Sequence, residues 1–445
     1  MYLGKRIHPP EMKDVRDVLE QAQKKQIKDS YLISVVTPVF GGGVKAGELK
    51  SRPTIRNSSI RGHLRFWWRA TRGAAYKDIS ELRKREAQIF GDTKTSSRVK
   101  IWVESNSFRQ NSSEETLDLE ILSYVTFPFK EEIPSFKLPY IFQLNIEFQP
   151  SKFLTSKVLK EELDPALWAW INFGGIGSRT RRGCGSLYCS HFSPNSSMTN
   201  LETWYRDKVL NYQLKLEPQP EREWPTLSNE LQIQKPSDTS TISSWQDAIR
   251  VYKEFRAMPN KSGSKRRSFW PEADSLRRKT KMSNTRHEEP KPEGKKEFYA
   301  FPRAQLGLPI IFQFKQDKGY EYKPLHQWEP LKMILKPKQK NRLASPLIVK
   351  SIALDEKTGV GAFIKLNQPR IKKLELKIIA KKPKNTGDKV FADHKTKTAQ
   401  LIKKPILEND IYKKLRYVDN PLGSTDDVIE AFFKSKGVEQ WKKGY

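Results

Sequence analysis

Ala166-Leu-Trp-Ala-Trp-Ile-Asn-Phe173 runs directly into Gly174-Gly-Ile-Gly-Ser-Arg-Thr-Arg-Arg-Gly-Cys-Gly185, and the chain continues as Ser186-Leu-Tyr-Cys189. The pattern reads as a short apolar helix, a glycine-framed loop and a strand. That order decides between fold classes. A dinucleotide fingerprint needs a strand before its glycines and a helix after them, and a Walker-type loop needs a Lys-Ser/Thr pair that is missing here. Nucleotide-cofactor binding is rejected on this ground, and no cofactor is expected. The glycines at 174, 175 and 177 allow positive φ and close backbone approach to a ligand. Arg179, Arg181 and Arg182 then sit in one short loop with Ser178 and Thr180, where they can neutralise phosphates. The plain alternative is an exposed turn whose arginines are accidental.

Upstream, Tyr31-Leu-Ile-Ser-Val-Val36 is a β-branched run stopped by Thr37-Pro38 and Gly41-Gly42-Gly43. Arg56-Asn-Ser-Ser-Ile-Arg-Gly-His-Leu-Arg-Phe-Trp-Trp-Arg-Ala-Thr-Arg72 reads as a helix capped by Asn57 or Ser58 and closed by Gly73. Ile60, Leu64, Trp67, Thr71 and Ala75 recur at helical spacing as a core face, beside a stripe of Arg61, Arg65, Arg69 and Arg72. No Asp or Glu interleaves the stripe, so these arginines repel one another. Arginine also suits bidentate phosphate contact. Trp68, at the border, either packs or stacks on a base. Lys45 and Arg52 lie nearby in the glycine-containing loop 41–53. Val99–Val103 and Phe142–Phe148 alternate as half-buried strands. Strand, helix, strands, helix, strand suits an α+β sandwich, an antiparallel sheet with helices on one face.

Around Leu214–Ser240 the chain turns rich in Pro, Gln, Glu and Ser, which places a boundary between domains 1–215 and 216–445. A helix is expected over Ser244–Ala257. Residues 261–296 carry 12 Lys/Arg against 5 Asp/Glu, and read as a mobile insertion or a nucleic-acid-contacting loop. Strand signals return at Leu308–Phe314, Pro346–Lys350 and Leu374–Ile379, and a helix at Asp426–Ser435.

The whole chain has 445 residues and a formal charge of +31. Such a charge concerns partners rather than fold, and nucleic acid leads an anionic membrane surface as the polyanion that would relieve it. With 11 Trp, 22 Phe and 15 Tyr the chain can bury real cores. No apolar run is long enough to span a bilayer, and the start, MYLGKRIHPPEMKD, has no signal-peptide core, so a cytoplasmic protein is expected. Cys184 and Cys189 support neither a disulfide framework nor a zinc site. The six histidines, His8, His63, His191, His287, His326 and His394, form no ligand set.

Thr37-Pro-Val-Phe-Gly-Gly-Gly43, Ile60-Arg-Gly-His-Leu-Arg-Phe-Trp-Trp-Arg69 and the arginine-laced glycine loop together resemble the RAMP superfamily of CRISPR systems. Arg267-Ser-Phe-Trp-Pro-Glu-Ala-Asp-Ser-Leu-Arg277, Phe301-Pro-Arg-Ala-Gln-Leu-Gly-Leu-Pro309 and Arg342-Leu-Ala-Ser-Pro-Leu-Ile348 narrow the resemblance to the first RAMP subunit of the type III-B (Cmr) effector complex. The resemblance spans residues ~30–350. It implies two tandem ferredoxin-like (RRM-like) domains with long insertions. It also implies a non-catalytic subunit in antiviral defence, at the end of the complex away from the guide's 5′ tag. There the subunit would contact the 3′ part of the crRNA and the paired target RNA, beside the sixth RAMP subunit and the backbone subunit, with no membrane involved. Carried over by position, Arg61, Arg65, Arg69 and Arg179–Arg182 are expected RNA contacts, followed by Arg267, Trp270, Arg277 and Arg342; Lys45, Arg52, Arg56, Gly174, Gly175, Gly177 and Ser178 complete the expected set. Trp270 could equally be a packing anchor. Two rival functions follow: a metal-independent RAMP endoribonuclease with His63 as general base, or a subunit whose basic surface mainly docks proteins. Glu272 and Asp274 are expected to form salt bridges rather than a metal site.

Overall fold

The computed structural model describes residues 27–41, 55–115, 117–126, 136–195, 200–235, 239–258, 268–282, 298–315, 323–338, 340–382, 386–417 and 420–443. Lys45, Arg52 and Arg267 lie outside the described residues, as does the segment 261–296 apart from 268–282.

In the first half the elements are β1 (Ile27–Val35), α1 (Asn57–Ala70), α2 (Ile79–Phe90), β2 (Val99–Glu115), α3 (Leu119–Thr126), β3 (Phe136–Phe148), α4 (Ser156–Phe173), β4 (Leu187–Tyr188) and α5 (Leu201–Asn211). The sheet runs β2-β3-β1-β4 with every pair antiparallel. Taking α1 and α4 as the crossovers, this is β-α-β-β-α-β with strand order 4-1-3-2, the ferredoxin-like arrangement. The period-2 pattern explains the sheet. Tyr31, Ile33 and Val35 of β1 point the same way as Phe142, Leu144 and Ile146 of β3, and all are buried. They meet Ile60, Leu64 and Trp67 of α1 and Leu163, Leu167 and Trp170 of α4. Burying a side chain of this size stabilises the fold by about 1.5–3 kcal/mol.

Two local expectations are corrected. Asn57 and Ser58 do not cap α1. Arg56 occupies the cap position without a side-chain bond, and Asn57 Oδ1 instead accepts the Val103 backbone N–H at 3.0 Å, tying the helix to β2. Ala75 is exposed, because the chain tightens into a 3₁₀ turn over Arg72–Ala75 and leaves the α-helical period.

In the second half the elements are β5 (Thr226–Ile233), α6 (Thr241–Ala257), α7 (Glu272–Thr280), β6 (Ile310–Phe312), β7 (Met333–Pro337), β8 (Leu347–Ala353) and β9 (Gly359–Asn367). They are followed by β10 (Lys373–Ile378), α8 (Asp388–Leu401), β11 (Ile406–Leu407), α9 (Val428–Phe433) and α10 (Lys436–Lys443). Strands β5, β9 and β8 form an antiparallel sheet in that order. With α6 between β5 and β8, this repeats the first β-α-β-β of the same motif in the order 1-3-2. A fourth strand in that sheet is absent among the described residues. The third sheet, β11-β10-β7-β6, takes its strands from the segments before β8 and after β9.

The stretch in which the domain boundary is expected is packed. Leu214, Leu216 and Trp224 are buried in the core shared with β1, and Arg222 Nη2 donates to the Ala74 carbonyl at 2.7 Å. β5 lies inside that stretch. Its polar centre, Ser228-Asn229-Glu230, hides the alternation, and the ladder shifts register between Leu227 and Leu231. One continuous cluster joins Ile33 and Trp67 to Ile348, Ile352 and Ile364 of β8 and β9.

Candidate nucleic-acid interface

Helix α1 turns its arginine row toward α2. Arg65 Nε meets Glu86 Oε1 at 2.6 Å and Arg69 Nη1 meets the same oxygen at 2.9 Å, while Arg61 donates to the Phe90 carbonyl. The sequence shows no acid within the stripe; the next helix supplies one. Glu86 is only 3% exposed. A single carboxylate between two guanidiniums leaves the row positive, and the Arg65 and Arg69 side chains stay 34% and 35% exposed. Arg72 donates to the Tyr212 carbonyl at 3.1 Å. Arg56 is exposed where the helix begins.

The glycine loop folds against its own chain. Phe40 and Ser178 form a bridge, and the Ile176 and Gly185 backbones bond at 3.0 Å. A Cβ on Gly185, at φ +65°, would lie 2.1 Å from the Ile176 carbonyl oxygen, and one on Gly177, at φ +78°, would lie 2.7 Å from that of Phe40. Glycine is therefore needed here for chain-to-chain approach, where the sequence suggested approach to a ligand. Gly174 and Gly175 are buried, whereas Gly177 and Ser178 form an exposed tip.

The three loop arginines diverge. Arg179, itself at φ 64°, donates from Nε to Val125 O at 2.9 Å and from Nη2 to Tyr124 O at 3.0 Å, placing a cation on the C-terminal carbonyls of α3. Burial, and next the Arg182 charge, hold its pKa below the ordinary value. Arg181 lays its guanidinium over the Phe66 ring of α1, 5.0 Å from the centroid, and leaves Nη1 without an acceptor among the described residues. Its stem is half-exposed but its head is not, and burial pushes its pKa down to about 10. Arg182 turns inward. It is 7% exposed, with Nη1 on Leu347 O at 3.0 Å and Nη2 on the Tyr252 hydroxyl at 2.7 Å.

The underside of the loop is held by Trp170 of α4 and by two residues from the second half of the chain, Trp245 and Lys350. Trp245 Nε1 donates to Arg182 O at 2.6 Å, Trp170 Nε1 to Gly175 O at 3.1 Å, and the fully buried Lys350 Nζ to Gly174 O at 3.1 Å. The structure thus joins the helix and the loop on one face through Arg181 and Phe66, and pins that face to β8 and α6 through Arg182. Phe66, Glu86 and Lys350 were missed from sequence. Phe66 could have been suspected from its place among the arginines; the other two are distant in sequence and gave no local signal.

Other expectations fall differently. Trp68 packs: it is fully buried and donates to Glu162 at 2.9 Å. Trp270 is likewise interior, bonded to Phe255 O at 3.1 Å, and so serves as the packing anchor rather than a contact surface. Arg277 is buried between Asp274 and Glu329, each at 2.8 Å, while Glu272 pairs with Arg303 at 3.0 Å. Asp274 and Glu272 therefore form the salt bridges expected of them. Arg342 is exposed, beside the bridge between Leu308 and Leu343. His63 lies parallel to the Trp170 ring, 6.3 Å between centroids, and burial lowers its pKa. Both cysteines are buried and unpaired. Among the described residues no cluster of His, Cys, Asp and Glu could hold a metal, and no helix is long and apolar enough to cross a membrane.

Comparison with known proteins adds a family. Residues 32–188 match the model of the RAMP superfamily. The Cmr subunit Cmr1-2 of the Pyrococcus furiosus CRISPR system is 30% identical over 174 residues, covering 35% of this chain and 91% of that protein. Subunit Cmr1-1 of the same organism is 26% identical over 170 residues, 38% of this chain and 47% of that protein. The crystal structure of Cmr1 from Pyrococcus furiosus in its apo form is similar at 20% identity and a TM-score of 0.43, covering 78% of this chain and 91% of that one.

Proposed function

The chain belongs to the RAMP superfamily and, within it, to the Cmr1 subunits of CRISPR Cmr systems; on that premise we propose that it is a non-catalytic RNA-binding subunit of a type III-B effector complex. It contacts the 3′ part of the crRNA and the paired target RNA from a cytoplasmic complex, next to the sixth RAMP subunit and the backbone subunit. The observation that carries this reading is the row of Arg61, Arg65 and Arg69 on α1, joined to the glycine loop where Arg181 stacks on Phe66 at 5.0 Å, with Glu86 the carboxylate that pairs the row among the described residues. Arg56, Arg179, Thr180 and the exposed tip at Gly177 and Ser178 border it, and Arg342 is a separate exposed candidate. Affinity is electrostatic, so base identity is read by guide–target pairing rather than by this face.

The test is a salt series. Replacing Arg61, Arg65 and Arg181 with Ala should weaken RNA binding and make the log–log salt slope shallower by about 0.7 for each phosphate contact removed. Unchanged affinity and slope, with subunit assembly lost instead, would overturn the proposal in favour of protein docking. Incubating the purified chain with crRNA in a chelator gives the other check. Specific cleavage that disappears in His63→Ala would mean an endoribonuclease.

A further inference from the structure

Four of the lysines beyond residue 350 gather with Lys338 at one place outside the arginine face. A concavity of about 420 Å³ opens between β10 and the C-terminal end of α8. Lys338, Lys373, Lys377, Lys395 and Lys403 surround it, all five exposed. None of the five has an ion pair among the described residues. The one carboxylate in the lining, Glu375, is already paired with Lys336 at 3.0 Å. The strand's alternation explains the contrast. Leu374 and Leu376 are buried, whereas Lys373 and Lys377 on the other parity face solvent. The floor's accessible aliphatic surface comes from Ile378 of the strand and Ala399 of α8, which lie over the buried Leu374, Leu376 and Ile402. Among the described residues no aromatic ring lines it.

Like charges this close repel, and the Debye length of about 10 Å at 0.1 M salt lets them act together on one ligand. Single-stranded nucleic acid engages such surfaces through aromatic rings on which bases stack. This groove offers none, and offers instead an apolar floor that a phosphate backbone would leave unused. We propose that the groove is a docking surface for an acidic protein segment whose carboxylates meet the lysine rim and whose aliphatic side chains fill the floor. The partner is a protein, distinct from the RNA assigned to the arginine face. Charge complementarity sets its encounter and orientation, and apolar burial supplies its retention.

Two labelled peptides titrated into the full chain, one alternating Glu with Leu and one alternating Glu with Ser, provide the test by fluorescence anisotropy. The Glu-Leu peptide should bind about tenfold tighter than Glu-Ser, and Lys395→Glu with Lys403→Glu should weaken it by about tenfold or more. The arginine-face triple variant should bind this peptide like the parent. Equal binding of the two peptides, or retention by the lysine double variant, overturns the proposal. So does an oligouridylate that binds the parent, is lost in the lysine variant, and finds neither peptide bound. The arginine-face variants decide the RNA reading by themselves, so the two failures are separable.

Discussion

Lys350 lies wholly out of water under the glycine loop, with one carbonyl, Gly174 O, for its ammonium. Burial pushes its pKa down to about 7. An unfolded lysine titrates near 10.4, so between these values the unfolded chain holds the extra proton and stability rises with pH. Below about pH 7 the ammonium is charged in both states and the burial penalty, on the order of 4 kcal/mol, is fully present. Lys350→Met should therefore flatten the pH dependence of urea unfolding between about pH 7 and 10, where the parent gains stability. Part of the gain at low pH is offset by about 1–3 kcal/mol, because Gly174 O loses its donor. A slope that survives in the variant would exclude Lys350 as its source. Residue-scale features like this one are poorly legible in sequence. The glycine loop announces three arginines, yet one ends on the carbonyls of α3, one on Phe66 and one inside the core. Spacing reports that charges are near one another in the chain and says nothing of the direction each takes.

At the scale of elements, glycine makes a sharper test. Gly185→Ala must place a methyl group 2.1 Å from Ile176 O at φ +65°, and should destabilise the chain by roughly 3 kcal/mol or more. A methyl group on Gly62 in α1 would meet nothing within 4 Å, so Gly62→Ala should stabilise the chain by about 0.5–1 kcal/mol through helix propensity. Thermal melts of the two variants should move in opposite directions. Helix α1 was readable because Ile60, Leu64, Trp67 and Thr71 keep one period and all are buried. β1 was readable as a β-branched run and β3 by alternation. β5 was not, since an edge strand with a register shift and a Ser-Asn-Glu centre carries no clean pattern. α2 was passed over too, so its buried Glu86 went unseen as the counter-charge of the arginine row.

Across the whole molecule, the halves share a core. Leu227 of β5, Ile348 and Ile352 of β8 and Ile364 of β9 belong to the same cluster as Ile33, Trp67 and Phe142. A fragment cut at residue 215 would expose that surface and lose Trp245 and Lys350 from beneath the loop. It should show no cooperative melt and a weakened near-UV dichroism; a sharp transition in the fragment would show that the first motif stands alone. The α+β class was legible from element order, and the ferredoxin-like motif only through the family resemblance. The third sheet was harder to foresee, because its strands come from both sides of β8 and β9, and pairing over that distance leaves no local trace.

The indoles around the loop have an optical consequence. Trp170 and Trp245 donate to its backbone, and Trp67 Nε1 would lie 2.6 Å from a Cβ on Gly174. Three fluorophores therefore sit within touching distance of the segment assigned to RNA. Any ligand that shifts the loop alters their surroundings, so the emission colour and intensity of the unlabelled protein form an intrinsic gauge of occupancy at that face.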